Sequence, residues 1–173
     1  MFDSNDDGRN DAAAAMDGAR VTRIELDTSG NGKPDRWEFY GEDRRLHRVG
    51  LSRHDDGVMD AVAVYGSDEQ MLRLEVSTRR DGRFDRTEFY QSSVLVRAEE
   101  DTDGDGRTDK WESYRRNPRS GPGEAPVVVS AVAFDDAAIG RPTRRLVYGS
   151  DGTLARVEQA EPDGTFAIDH TSR

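Results

Sequence analysis

Apolar and polar residues alternate in short runs along most of the chain. One set of runs carries a bulky side chain at alternate positions: DRWEFY, DAVAVY, DRTEFY, DKWESY and TRRLVY. A second set alternates in the same way: VTRIEL, LHRVGL, MLRLEV, VLVRAE and LARVEQ. A period of two is typical of β-strands, and short polar turns such as GED and GSDG join the paired runs. The pattern predicts consecutive antiparallel hairpins, which together make a β-meander.

The second set also predicts which side chains share a sheet face. We expect one face to hold the pairs Ile24/Leu26, Val49/Leu51 and Leu74/Val76, with Arg23/Glu25 and Arg73/Glu75 on the other. One stretch, DAAAAMDGAR, has a composition that favours a helix. Its place in the repeat instead predicts a strand, with Met16 in the position that other repeats give to tyrosine.

An internal repeat organises the whole chain. Seven loops have a central glycine, and the steps between these glycines are 24, 25, 25, 24, 34 and 24 residues: Gly8, Gly32, Gly57, Gly82, Gly106, Gly140 and Gly164. The long step contains a Pro/Gly-rich insertion, NPRSGPGEAP, at residues 117–126. All five tyrosines lie eight residues after a repeat glycine, and both tryptophans lie five after one. We therefore expect an all-β fold, an array of about seven hairpins in an elongated meander or solenoid-like sheet, forming one repeat domain over residues 1–173.

Composition limits the classes of function that fit. Apolar residues make up 34% of the 173 positions, charged residues 35%, and mean hydropathy is −0.89, so a large core is not expected. The net charge of −10 argues against a nucleic-acid partner, which requires surplus Lys and Arg. The chain has no cysteine, no apolar run of transmembrane length and no signal-peptide core in residues 1–20. Since it opens inside a repeat motif, we expect a mature or trimmed form.

The loops between hairpins carry oxygen-bearing residues with the spacing of a calcium loop. In such a loop, positions 1, 3, 5 and 9 supply side chains, position 7 supplies its carbonyl, and position 6 is glycine. Three loops fill these places. Their predicted ligands are Asp101, Asp103, Asp105, Arg107 (carbonyl) and Asp109; Asp27, Ser29, Asn31, Lys33 (carbonyl) and Asp35; and Asp3, Asn5, Asp7, Arg9 (carbonyl) and Asp11.

The remaining loops fit this pattern less well. His54 and Arg79 occupy position 3 of the loops that begin at 52 and 77, and the loops at 135 and 159 are poorer still. We interpret these four as turns, since Asp, Asn and Gly are common turn formers. For the loop at 3–11 both interpretations stay open.

Glu38 and Glu112 occupy position 12, where an EF-hand supplies a bidentate glutamate. In a helix the next turn brings that residue back to the ion, whereas three extended residues span roughly 10 Å. Two roles therefore stay open for these glutamates: calcium ligation, or pairing with arginine on a neighbouring hairpin.

The loop DTDGDGRTD resembles the loops of EF-hands, dockerins and thrombospondin type 3 repeats, and more closely the strand-flanked loops of FG-GAP repeats. The tyrosine turns, most visibly YGSDGTLARV at 148–157, resemble the YD repeats of Rhs-type shell proteins, although the Tyr-Asp pair is not kept. The first resemblance covers about nine to twelve residues of each repeat and implies Ca²⁺ binding at the matching positions.

Several kinds of chemistry lack a motif. Histidine pairs with zinc spacing, a nucleophile elbow and a phosphate-binding loop are all missing, and the recurring carboxylates are better explained by repetition than by acid–base catalysis. We therefore do not expect an enzyme. The Tyr and Trp series could stack on sugars, but cross-strand packing is the preferred interpretation.

These observations favour a calcium-binding structural or adhesive module that works in an extracellular, periplasmic or cell-surface setting, as in a secreted protein or lipoprotein of bacteria. The alternatives are a glycan- or protein-binding surface built on the aromatic residues, and a shell fragment of a larger Rhs-like protein. Calcium ions are the expected partner, with a cell-surface protein or glycan as a further one.

Overall fold

The structure is a computed structural model, and it describes residues 1–3, 8, 10–117, 120–121 and 126–169. Within these residues the regular elements are β-strands, which confirms the predicted all-β class. No helix in the described part of the chain is long and apolar enough to cross a membrane. The chain forms two compact units, Met1–Phe84 and Asp85–Arg173. The expectation of a single repeat domain over residues 1–173 stays a prediction.

The first unit is an antiparallel meander in which each strand pairs with the next one along the chain. Its strands are β1 (Ala12–Asp17), β2 (Arg20–Leu26), β3 (Arg36–Tyr40), β4 (Leu46–Leu51), β5 (Ala61–Tyr65) and β6 (Met71–Val76). The alanine-rich stretch is strand β1, so the repeat phase predicted it correctly where helix propensity did not.

The second unit continues the same plan with seven strands in antiparallel order. They are β7 (Arg86–Gln91), β8 (Val94–Glu100), β9 (Lys110–Arg116), β10 (Val127–Phe134), β11 (Arg144–Tyr148), β12 (Leu154–Ala160) and β13 (Phe166–Ile168). Part of the 117–126 insertion lies outside the described residues. Its ends are closed by a hydrogen bond from the Asn117 N–H to the Pro126 carbonyl at 3.0 Å.

The predicted division into faces is confirmed by the strand register of the first unit. Ile24 lies opposite Glu38, which lies opposite Val49, and the row continues through Ala63 to Leu74. Because side chains alternate along a strand, the neighbouring row carries Leu26, Leu51 and Val76 on the same face. The buried apolar residues of the described chain are few and mostly small, as the low apolar content predicted: Ala12, Trp37, Val49, Ala61, Val62, Ala63, Val76, Ala98, Val132 and Ala133.

Each hairpin has a β-bulge beside the tyrosine position, a feature that the sequence analysis did not predict. In the β3–β4 hairpin Phe39 lies opposite Arg48 but Tyr40 lies opposite Leu46, so His47 is the extra residue. The same shift occurs at Met16, Tyr65, Tyr90, Tyr114 and Tyr148. A bulge bends the bulged strand and increases its twist. The regular tyrosine phase in the sequence therefore marks a regular backbone distortion.

Candidate metal centre

The loops that carry the predicted ligands connect one hairpin to the next, and their ends are tied by backbone hydrogen bonds. In the loop 101–109, the N–H of Asp109 donates to the carbonyl of Glu100, the residue just before position 1, at 3.0 Å. The Asp109 carbonyl then accepts from the N–H of Asp135, the first residue of the next loop, at 2.8 Å. In the first unit, Asp35 makes the equivalent bonds to Leu26 and Ser52, each at 2.8 Å. Successive loops are therefore linked through position 9.

Three of the predicted ligands in the loop 101–109 converge. One carboxylate oxygen from each of Asp101, Asp103 and Asp109 lies within 4.8 Å of the other two. Calcium binds oxygens at about 2.3–2.6 Å, so two of its ligands lie at most about 5 Å apart. The spacing of these three carboxylates therefore fits one shared calcium ion.

Hydrogen bonds within the loop set the positions of these carboxylates. Asp101 accepts from the N–H groups of Gly104 at 2.6 Å and Gly106 at 2.8 Å. Asp109 accepts from the Thr102 hydroxyl at 2.7 Å and the Thr102 N–H at 3.0 Å. Gly106 has a φ of 88°, a left-handed conformation that glycine adopts without a steric cost. The predicted position-6 glycine thus supplies the turn that brings its own N–H onto the position-1 carboxylate.

Asp105, predicted at position 5, lies outside the converging carboxylates, and ligation by the Arg107 carbonyl at position 7 stays a prediction. The Asp105 N–H donates to Asp103 at 3.0 Å, and the Asp105 carboxylate accepts from the Arg107 N–H at 2.8 Å. Both residues line a cavity of about 200 Å³ that also borders Asp135 and Asp136 of the next loop. Calcium takes six to eight oxygen ligands, more than the three converging oxygens, and further protein oxygens or water molecules commonly supply the remainder.

The second predicted site, the loop 27–35, repeats this hydrogen-bond pattern with two carboxylates. Asp27 accepts from the N–H groups of Gly30 at 2.8 Å and Gly32 at 2.6 Å, and Asp35 accepts from the Thr28 hydroxyl at 2.8 Å. Desolvation raises the pKa of Asp27, but the N–H groups of Gly32, Asn31 and Gly30 outweigh it, so the pKa lies below its ordinary value. The loop is thus organised around an ionised position-1 carboxylate.

The other predicted ligands of this loop are also placed. The Ser29 hydroxyl donates to Asp27 at 3.3 Å, and the Lys33 N–H donates to the Asn31 side chain at 2.8 Å. The Asn31 side-chain amide donates to the Asp55 carbonyl at 2.6 Å and so contacts the following loop. Asn31 is therefore held by two loops at once.

Part of the third predicted site lies outside the described residues, including Asn5, Asp7 and Arg9. Asp3 accepts from the N–H of Gly8 at 2.7 Å, which is the bond that Asp101 makes with Gly106. The Asp11 carbonyl accepts from the Asp27 N–H at 2.8 Å, as the other position-9 carbonyls do. The described part of this loop therefore follows the same plan.

The two position-12 glutamates lie on sheet faces and bind cationic side chains. Glu112 is 2.7 Å from Arg86 on β7 and 3.0 Å from Lys110, and it accepts from the Tyr114 hydroxyl at 2.7 Å. Glu38 accepts from Arg36 at 2.8 Å and from the Tyr40 hydroxyl at 2.6 Å. The predicted pairing with arginine on a neighbouring hairpin is therefore present for Glu112, whereas Glu38 pairs with Arg36 of its own strand. Calcium ligation by either glutamate stays a prediction.

Glu112 belongs to a larger group of charged residues, which we call the Arg86 cluster. Arg86 also lies 3.0 Å from Glu88 and 3.0 Å from Glu100, and Lys110 lies 3.1 Å from Glu100. These five side chains are 13–24% exposed. Desolvation raises the pKa of Glu112, but Tyr114, Lys110 and Arg86 outweigh it and lower that pKa to about 2. Part of this sheet face is therefore covered by ion pairs rather than by apolar side chains.

The threonine at position 2 is a site residue that the sequence analysis missed. Thr28 and Thr102 each donate a hydroxyl to the position-9 aspartate of their own loop, at 2.8 Å and 2.7 Å. Threonine recurs at this position in the loops beginning at 27, 77 and 101. That recurrence was the available signal, although position 2 is not a ligand position in a calcium loop.

The tryptophan and the tyrosine of one repeat lie on different faces of the sheet. Trp37 and Tyr40 are three residues apart on β3, so they point to opposite faces of the sheet. Trp37 is buried, and the tyrosine hydroxyls of Tyr40, Tyr90 and Tyr114 donate to the glutamate two residues earlier in each case. The burial of Trp37 agrees with the packing interpretation, which for the tyrosines stays a prediction.

Comparison with known proteins supplies no family for the chain. No protein-family model matches it, and no curated protein sequence matches it either.

Proposed function

We propose that the protein is a calcium-binding β-repeat module with a structural or adhesive role, and that the ion stabilises its fold. The observation that carries this proposal is the convergence of Asp101, Asp103 and Asp109 within 4.8 Å. Three negative charges at that separation repel one another, and a divalent cation reverses this repulsion. The net charge of −10 extends the same argument to the whole chain.

The size of the expected stabilisation follows from binding linkage. An ion that binds only the folded state contributes RT ln(1 + [Ca²⁺]/Kd), about 2.7 kcal/mol at a hundredfold excess over Kd. That is a large share of the roughly 5–15 kcal/mol stability of ordinary domains. A chain with so few buried apolar residues would gain correspondingly from the ion.

The calcium concentration at which such a loop binds the ion indicates the compartment in which the protein would be stabilised. Extracellular calcium modules commonly have Kd values of about 10⁻⁴–10⁻³ M, above the resting calcium level of a cytosol. A module that depends on calcium in this range would be stabilised outside the cytoplasm. We therefore propose an extracellular, periplasmic or cell-surface location.

A calcium titration and a pair of thermal melts test the proposal. With calcium at a hundredfold excess over Kd, we expect a midpoint roughly 5–11 °C higher than in EGTA, since about 1 kcal/mol corresponds to 2–4 °C for a chain of this size. Isothermal titration calorimetry counts the ions. We expect the loop 101–109 to fill first, because it has four carboxylates at ligand positions, against three in the loop 3–11 and two in the loop 27–35.

Matched variants locate the ion. Asp101→Asn combined with Asp109→Asn removes two converging carboxylates, and we expect it to abolish binding to that loop. Asp163→Asn makes the same chemical change in a loop interpreted as a turn, where Asp163 accepts from the Thr165 N–H at 2.9 Å. The control should leave the ion count unchanged. Equal melting midpoints with calcium and with EGTA would end the proposal.

A further inference from the structure

The loop 52–60 keeps one part of the converging group and replaces the rest. Asp101, Asp103 and Asp109 have as their counterparts Ser52, His54 and Asp60. Asp60 is nevertheless the more deeply buried of the two position-9 aspartates, at 1% exposed, whereas Asp109 is partly exposed. A carboxylate with so little access to water requires hydrogen bonds or an opposite charge from the protein.

Arg53 and His54, at positions 2 and 3 of the same loop, give Asp60 hydrogen bonds, and the Arg53 guanidinium also gives it an opposite charge. Arg53 donates to one Asp60 carboxylate oxygen from its backbone N–H and from its side-chain Nε, each at 3.1 Å. His54 Nδ1 lies 2.9 Å from the other Asp60 oxygen, and it is the donor because an ionised carboxylate only accepts. Position 3 is a ligand position in a calcium loop, so here the side chain that would share the ion instead binds the carboxylate directly.

The guanidinium also extends the contact to the next loop. Arg53 Nη2 donates to the Ser77 carbonyl at 3.3 Å, and the Ser77 N–H donates to the Asp60 carbonyl at 2.9 Å. The positive charge therefore lies where the loop 52–60 meets the first residue of its successor. In the loop 101–109, by comparison, position 2 is Thr102, which offers Asp109 a neutral hydroxyl.

We propose that Arg53 is a built-in counter-charge for Asp60, that His54 adds a hydrogen bond to the same carboxylate, and that together they make the loop 52–60 independent of metal. The protein then combines two kinds of loop on one backbone plan: loops whose aspartates require an added cation, and a loop that carries its own. The electrostatic part of this inference stands without calcium, whereas the contrast with the loop 101–109 rests on the proposed function.

The first experiment is a thermodynamic cycle in EGTA, so that calcium plays no part. Arg53→Gln with His54→Gln should lower the melting midpoint by roughly 2–4 °C or more, because Asp60 loses its charge partner. The same two substitutions in an Asp60→Asn background should have a clearly smaller effect, since the amide carries no charge. An equal fall in both backgrounds would overturn the inference.

The second experiment measures calcium binding to the folded protein and tests whether the counter-charge prevents the loop 52–60 from binding the ion. Arg53→Thr with His54→Asp gives positions 2 and 3 the residue types of the loop 101–109. Calorimetric titration with calcium should then count one more ion than in the unsubstituted protein. If the unsubstituted protein binds calcium and the variant binds no additional ion, the inference is wrong.

The two experiments separate this inference from the proposed function. If the unsubstituted protein binds no calcium, the proposed function fails and the EGTA cycle alone decides. A coupling between Asp60 and the Arg53/His54 pair would then still support the built-in counter-charge. Absence of that coupling would refute it.

Discussion

Replacing Arg86 with methionine tests whether ion pairs take the place of a core on the second unit. The substitution keeps an unbranched side chain of similar length but removes the guanidinium that contacts Glu88, Glu100 and Glu112 at 2.7–3.0 Å. The Arg86 cluster has two positive and three negative groups, so its formal charge changes from −1 to −2. Lys110 is then the one cation left in the Arg86 cluster.

The pKa of Glu112 sets the scale of the effect. It lies at about 2 in the folded protein against an ordinary value of 4.5, and one pKa unit corresponds to about 1.36 kcal/mol. The interactions of this single carboxylate thus favour the folded state by about 3 kcal/mol near neutral pH. In the variant, Tyr114 and Lys110 still stabilise the Glu112 carboxylate, so part of this free energy remains. Glu88 and Glu100 also lose their contact with Arg86, which adds to the loss. We expect a loss of about 2–3 kcal/mol, below the 3–5 of a fully buried pair.

Denaturant unfolding followed by tryptophan fluorescence measures this loss. A Trp37→Phe background leaves Trp111 as the reporter, and Trp111 lies on β9 between Lys110 and Glu112. The matched control is Arg97→Met, which lies in the same unit as the reporter. Arg97 is 50% exposed and pairs with Glu99, so its loss should cost about 1 kcal/mol or less.

The pH dependence gives a second check with a definite sign. A carboxyl whose pKa is lower in the folded state contributes stability above its unfolded pKa and loses it as the pH falls through the folded value. The difference in the free energy of unfolding between Arg86→Met and its parent should therefore become smaller as the pH falls from about 4.5 to 2. A loss of stability no larger than that of Arg97→Met, or a difference from the parent that does not change with pH, would refute the reasoning.

Three further predictions concern the loop glycine, the buried tryptophan and the tyrosine hydroxyls. Gly106→Ala should cost about 1–2 kcal/mol in denaturant unfolding because φ is 88°; Gly121→Ala, where an added Cβ meets nothing within 4 Å, should cost almost nothing, and equal costs would contradict the strain argument. Trp37→Ala should cost about 3–5 kcal/mol by the same measurement, since the side chain is buried, and a change under about 1 kcal/mol would show that it is not part of the packing. Burial and the Glu38 carboxylate raise the pKa of Tyr40 to about 12, so Glu38→Gln should lower it in a spectrophotometric titration, and an unchanged value would exclude that carboxylate as a cause.

The strands could be predicted from the sequence because they depend on local alternation and on the repeat. The phase of the repeat even decided β1, where alanine composition pointed to a helix. β10 and β13 lay outside the predicted runs, since the insertion interrupts the period before β10 and the repeat of β13 is incomplete. The bulges also escaped prediction, because a register shift depends on two strands at once whereas alternation is a property of one.

The candidate site divides along similar lines. Asp101, Asp103 and Asp109 are close in sequence, and the loop pattern alone predicted that they would share a site. Arg86 and Glu112 are 26 residues apart, and only the register of β7, β8 and β9 brings them to 2.7 Å. Likewise, the sequence showed that His54 breaks the ligand pattern but not that it would bind Asp60. Calcium binding itself stays a prediction.

The hydrogen bonds through position 9 have a consequence for how such a gene can grow or shrink. The Asp35 carbonyl holds the N–H of Ser52, and the Asp60 carbonyl holds the N–H of Ser77. Excising residues 36–60 would join Asp35 to Ala61. The Asp35 carbonyl, which had accepted from Ser52, could then accept from the Ser77 N–H in place of the Asp60 carbonyl. Unequal recombination that adds or removes whole repeats can therefore lengthen or shorten the protein by complete hairpins. The position-9 carbonyl at the new junction keeps a hydrogen-bond partner.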